Sequence, residues 1–116
     1  MTGHIVCFGE LLIRLSPPGR RLMVQAQSLD VAVGGAEANV AVGLSSLGHS
    51  TKMVSTNVDN PLGRLIQTEL RARGVDMSHS ISTEGRVGLY FLEQGQGLRA
   101  SSITYDRAGS SFAVAT

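Results

Sequence analysis

Gly34-Gly35-Ala36-Glu37-Ala38-Asn39-Val40-Ala41 joins an alternating apolar segment to a helical pattern through a glycine pair. Before it, Leu29, Val31 and Val33 alternate as in a strand. After it, the spacing predicts a helix over 36–47, with Val40, Leu44 and Leu47 on one face and Gly48 just past its end. Such a strand-to-helix junction points to an α/β fold and builds a corner suited to oxygen-rich ligands. Glycine lets a ligand approach the backbone closely, and the first helical turn presents free N–H groups with the positive end of the helix dipole. Asn39 lies one turn inside, where its amide both donates and accepts. Polyol and carboxylate groups match that chemistry. Two plainer readings remain open: a Gly-Gly before a helix is often only a turn, and Asn39 is able to serve the helix's own first turn.

Working outward, Ile5-Val6-Cys7-Phe8 is a short apolar run closed by Gly9, the pattern of a strand buried on both faces at the centre of a parallel sheet. A Ser16-Pro17-Pro18-Gly19 turn follows, and 22–27 and 29–33 are short strand candidates at the edge of a small sheet. Residues 51–55 read as the next parallel strand. Asn60-Pro61 opens a second helix, in which Leu62, Leu65, Ile66 and Leu70 repeat with helical period before Gly74 ends it. After a weak strand over 79–82 the period changes to two: Val87, Leu89 and Phe91 alternate, Gln94-Gly95-Gln96-Gly97 reverses direction, and 101–105 returns. The chain thus has a layered βαβα texture and a strand-rich one.

Composition narrows the function classes. Ten basic against nine acidic residues, a formal net charge of +1, leave no electrostatic footprint for a nucleic-acid backbone or an anionic membrane. The single Cys7 forms no intramolecular disulfide and fits a reducing compartment, where it reads as a small buried hydrophobe. His4, His49 and His79 share no metal-ligand spacing, so no metal site is expected. With neither a signal-peptide pattern nor a membrane-length apolar stretch, a cytoplasmic protein is expected. A nicotinamide-dependent dehydrogenase would need a glycine fingerprint at the first strand-to-helix turn, and Gly9 begins none.

The glycine-pair block is followed in order by Leu47-Gly48, by Asn57-Val58-Asp59-Asn60-Pro61-Leu62-Gly63 and by Arg73-Gly74-Val75-Asp76. This succession resembles the first signature of the ribokinase-like (PfkB) carbohydrate kinases. Within them the chain is most similar to 2-keto-3-deoxygluconate kinases, through Gly9-Glu10-Leu11-Leu12-Ile13-Arg14-Leu15-Ser16-Pro17-Pro18-Gly19 and Ile103-Thr104-Tyr105-Asp106-Arg107-Ala108. The resemblance implies that residues 1–116 are the N-terminal portion of a doubly wound α/β kinase domain, with a small β-sheet lid near 15–33 and 86–107. It implies a sugar or sugar-acid substrate, a homodimer formed through the lid, and ATP and Mg²⁺ as cofactors of the full-length family.

By the same resemblance, Gly34, Gly35, Ala36 and Asn39 match the substrate-contacting stretch, Tyr90 a lid tyrosine, and Tyr105 and Arg107 a Tyr-x-Arg element. Arg107 is the expected reader of the substrate carboxylate, because its planar fork donates two charge-assisted hydrogen bonds. On the residues alone, the tyrosines are equally read as packing groups and Asp106-Arg107 as a surface pair. Many sugar kinases of the superfamily carry an acidic residue where this chain has Arg14, which either faces an anionic substrate or points to solvent. The family's ATP site, anion hole and catalytic aspartate lie in its C-terminal half. No catalytic or cofactor-binding residue is therefore assigned within 1–116, and the chain alone is not expected to turn over. Two alternatives stand: a non-catalytic sugar-binding or dimerisation module, and a fructokinase or ribokinase-like kinase of other sugar specificity.

Overall fold

The computed structural model describes residues 4–95, 100–110 and 112–113. In chain order the elements are β1 (His4–Phe8), β2 (Leu12–Ser16), a 3-10 turn (Met23–Gln25), β3 (Asp30–Gly34), α1 (Ala36–Ser46), β4 (Ser50–Val54), β5 (Thr56–Val58), α2 (Pro61–Ala72), β6 (Val75–Asp76), β7 (Ile81–Thr83), β8 (Gly88–Glu93) and β9 (Ser102–Asp106). A parallel sheet of order β1-β4-β6 carries the layered part. A second sheet of order β3-β2-β8-β9 pairs antiparallel at both outer contacts and parallel between β2 and β8. β5 and β7 form a short parallel pair.

The best-specified element is α2. The Asn60 side chain accepts the Gly63 N–H at 2.9 Å, Pro61 takes the first helical position, and Arg71 lies in the last turn. Ile66 and Leu70 are buried, each contributing about 1.5–3 kcal/mol by leaving water. At the end of α1 the N–H groups of Gly48 and His49 donate to the carbonyls of Ser45 and Leu44, a two-bond glycine cap.

Several expectations are corrected. Residues 22–27 are not a strand: the Leu22 N–H donates to the Gln25 side chain at 2.8 Å and the Gln25 N–H to the Leu22 carbonyl at 2.9 Å, closing a local turn that competes with sheet pairing. Val24 is left 91% exposed. β1 is an edge strand among the described residues rather than a central one, with Cys7 buried but Val6 and Phe8 exposed. On α1 the buried residues are Ala38 and Ala41, while Val40 and Leu47 are exposed. Small side chains let that helix lie close on β1 and β4, so the face chosen by hydrophobic period is not the face that packs. The reversal over 94–97 falls partly outside the described residues.

The core is formed by Cys7, Leu11, Ile13, Ala38, Ala41, Met53, Val58, Ile66, Leu70, Val75, Met77 and Val87. Ile13 comes from the second sheet and is almost fully buried. Leu15, Val33 and Leu89 from that sheet also pack on the core. The opposite side of the sheet is left facing the glycine-pair corner.

Candidate functional site

The corner forms where β3 runs into α1. Gly35 is the residue capping the helix, with φ +110°, and no side chain caps the first turn. A side chain there would meet the Glu10 carbonyl oxygen as well as an unfavourable backbone conformation. At Gly34 a Cβ would lie 2.6 Å from the Tyr90 hydroxyl, so the first glycine of the pair makes room for a ring rather than for a turn.

Register across the second sheet explains which side chains face the corner. Directly opposite residues share a face: Arg14 pairs with Tyr90, and Tyr90 with Tyr105. The two tyrosine rings lie with centroids 5.8 Å apart. The Arg107 guanidinium is 4.8 Å from the Tyr105 ring centroid, a cation–π contact of about 0.5–1 kcal/mol at an exposed site. Its Nη1 lies 3.6 Å from Glu10 Oε1, and the other Glu10 oxygen accepts the Ser110 hydroxyl at 2.6 Å. The Glu10 side chain is only 13% exposed and Ser110 is buried, so the carboxylate is the anchored member of the pair and Arg107 the exposed one. Asp106 pairs with Arg86 at 2.9 Å and not with Arg107.

These groups enclose a cleft of about 300 Å³ lined by Gly35, Ala36, Asn39, Tyr90, Tyr105 and Arg107, together with Glu10, Leu12, Glu37 and Ile103. Six of the seven residues singled out in the sequence line it. Gly34 does not, and acts through Tyr90 as described above. Glu10, Leu12, Glu37 and Ile103 were not singled out as ligand-facing. For Glu10 a signal existed, because it follows the first parallel strand at its carboxyl end, where open α/β sheets bind ligands. Glu37 bends back over Gly9, where a Cβ would come within 2.9 Å of its Cγ.

A second hollow of about 340 Å³ adjoins the first at Asn39, which lines both. Its walls are Arg14, residues 31–33 of β3, Ala38 and Val42 of α1, and Glu69, Leu70 and Arg73 at the end of α2. Arg14 therefore faces this hollow and not bulk solvent alone.

The sequence pattern that defines the pfkB family carbohydrate kinases matches residues 2–115. The chain belongs to that family. Its relatives include the 2-dehydro-3-deoxygalactonokinase of Haloferax volcanii, 44% identical over 115 residues that cover 99% of this chain and 36% of that protein. A probable fructokinase-7 of Arabidopsis thaliana is 43% identical over 64% of this chain and 22% of its own length. Among solved structures, a 2-dehydro-3-deoxygluconokinase from Thermotoga maritima superposes with a TM-score of 0.94 at 42% identity, over 97% of this chain and 35% of that one. This pfkB-family chain thus spans about a third of the length of the proteins it matches. Its mixed α/β architecture is that of the N-terminal portion of a ribokinase-like kinase. No described helix is long and apolar enough to cross a membrane.

Proposed function

We propose that these residues form the sugar-acid-binding portion of an ATP-dependent kinase, with 2-keto-3-deoxygluconate the favoured substrate and the second sheet acting as a lid over it. One observation carries the reading: Gly35, Ala36 and Asn39 from the corner, and Tyr90, Tyr105 and Arg107 from the sheet, converge on one cleft. The cleft is at the lower end of the size range of small-molecule sites, which suits a six-carbon acid. Backbone N–H groups and Asn39 would take hydroxyls, the tyrosines would cover the carbon chain, and Arg107 would donate to the carboxylate. The 2-dehydro-3-deoxy acid kinases among the relatives support the substrate class. The fructokinase relative supports a second reading, a neutral ketose, which Glu10 and Glu37 in the cleft walls would also accommodate.

A Pyrococcus horikoshii sugar kinase of similar fold, TM-score 0.81 at 29% identity, has been solved in complex with ATP. The described residues do not by themselves fit that nucleotide, or the Mg²⁺ expected to accompany it. They contain no phosphate-loop pattern, and no group of three His, Cys, Asp or Glu among the described residues is arranged to hold a metal. The proposal therefore assigns them substrate binding and assigns ATP no residue here. A cytoplasmic location and a homodimer formed through the second sheet complete the reading.

Titration calorimetry of the chain with 2-keto-3-deoxygluconate and with fructose tests it, using wild type and Arg107→Lys. The acid is expected to bind more tightly, and the lysine variant to weaken acid binding by about 1.5–3 kcal/mol because charge is kept and the fork is lost. Equal weakening of both ligands would assign Arg107 to holding the sheet edge in place. Tighter binding of fructose would favour the neutral-sugar reading.

A further inference from the structure

The cleft walls carry a charge problem for an anionic ligand. Glu10 and Glu37 outnumber Arg107 there, so the first cleft has a formal charge of −1 and Arg107 is already partly neutralised by Glu10. A carboxylate entering this cleft gains directed hydrogen bonds from Arg107 but no net attraction. Some other positive group is needed if the site is to prefer an acid over a neutral polyol of the same shape.

Arg14 has the properties required. Its register opposite Tyr90 puts it in the cross-strand row that includes Tyr105, on the face that lines the cleft. It lines the neighbouring hollow, which shares Asn39 as a lining residue with the first cleft. Its Nε is buried without a hydrogen-bond partner, and Arg14 takes part in none of the ion pairs among the described residues. The other cation of the hollow, Arg73, faces Glu69 at 3.8 Å. A guanidinium cannot shed its proton to escape burial, and a buried donor left unmade carries a desolvation cost until something accepts from it. The alternative, that Arg14 merely lays its aliphatic stem on the sheet with its head in water, gives no account of a buried Nε without a partner.

We propose that Arg14 supplies the positive charge that selects an acid in this site, with Arg107 providing direction to the hydrogen bonds. The inference rests on the sugar-acid reading above and deepens it by naming the residue that makes the distinction. The ligand class it implies is an open-chain polyhydroxy acid whose oxyanion end reaches past Asn39 into the hollow.

The experiment compares gluconate with glucitol, which share six carbons and differ in one anionic terminus, by calorimetric titration of the 116-residue chain. Wild type is expected to favour gluconate by about tenfold or more, the scale of one charge-assisted contact. Arg14→Gln should bring the two affinities to within about twofold, chiefly by weakening gluconate, and Arg14→Lys should retain part of the preference. Added salt should erode the wild-type preference and leave the Gln variant unaffected. A Gln variant that keeps the full preference, or that loses both ligands equally, would overturn the role given to Arg14. A wild type that binds neither, or both alike, would instead refute the sugar-acid reading itself.

Discussion

Gly35 shows how one residue can be required twice. Its φ of +110° suits glycine, and the Glu10 carbonyl occupies the space a side chain would take. Gly35→Ala is therefore expected to destabilise the chain by about 1–3 kcal/mol in urea unfolding and to blunt ligand binding, since relief requires the start of α1 to retreat from the β1–β2 connection at Glu10. An alanine variant as stable as wild type would mean that the corner is not built as described. The residues of this corner were legible because they are contiguous: two glycines, a helix start and an Asn one turn later need no tertiary information. Tyr90, Tyr105 and Arg107 were legible only through their order along a family pattern. Glu10 was missed because a glutamate after a short strand reads as surface, and the hydroxyl that donates to it belongs to Ser110, 100 positions away in the chain. Asp106-Arg107, adjacent in sequence, was read as a possible pair, yet the strand's alternation turns Asp106 to Arg86 and Arg107 to Glu10.

At the scale of elements, the two helices differ in how much their sequences disclose. In α2 the cap, the proline, the apolar period and the terminal glycine all agree, and the helix forms where they place it. Asn60→Ala removes the acceptor for the Gly63 N–H and should cost about 1 kcal/mol of stability, measured by chemical denaturation with ligand absent. A loss well below that would show that water caps the helix as well as Asn60 does. In α1 the large apolar residues pointed to the wrong face, because close approach to a sheet selects Ala38 and Ala41 over Val40 and Leu47. The short strands β5 and β6 were illegible for a related reason: two or three residues have no period, and only their partners define them. The same limit turned 22–27 from an expected strand into a local turn tied to Glu93 by the Met23 N–H, a contact across 70 positions.

Across the whole molecule the two sheets divide the work proposed for it. The corner lies where β3 of the second sheet runs into α1, which packs on the parallel sheet, and β8 and β9 bring a row of aromatic and charged side chains over it. Among the described residues the outer strand β9 is exposed along its length, and Val31 is more than half accessible on β3 at the other edge. Unpaired edges with apolar side chains favour association. The proposed dimer should appear in light scattering as twice the chain mass at roughly tens of micromolar protein, within reach of an interface of ordinary size. A monomer throughout that range would place the cover of this sheet elsewhere. The central claim, that the corner and the sheet together hold a sugar acid, is tested most directly by amide and side-chain chemical-shift mapping of the chain with 2-keto-3-deoxygluconate. Saturable shifts are expected at Gly35, Ala36, Asn39, Tyr90, Tyr105 and Arg107, with α2's outer face silent. Saturable shifts confined to other surfaces, or none up to millimolar acid (~4 kcal/mol of binding), would contradict it.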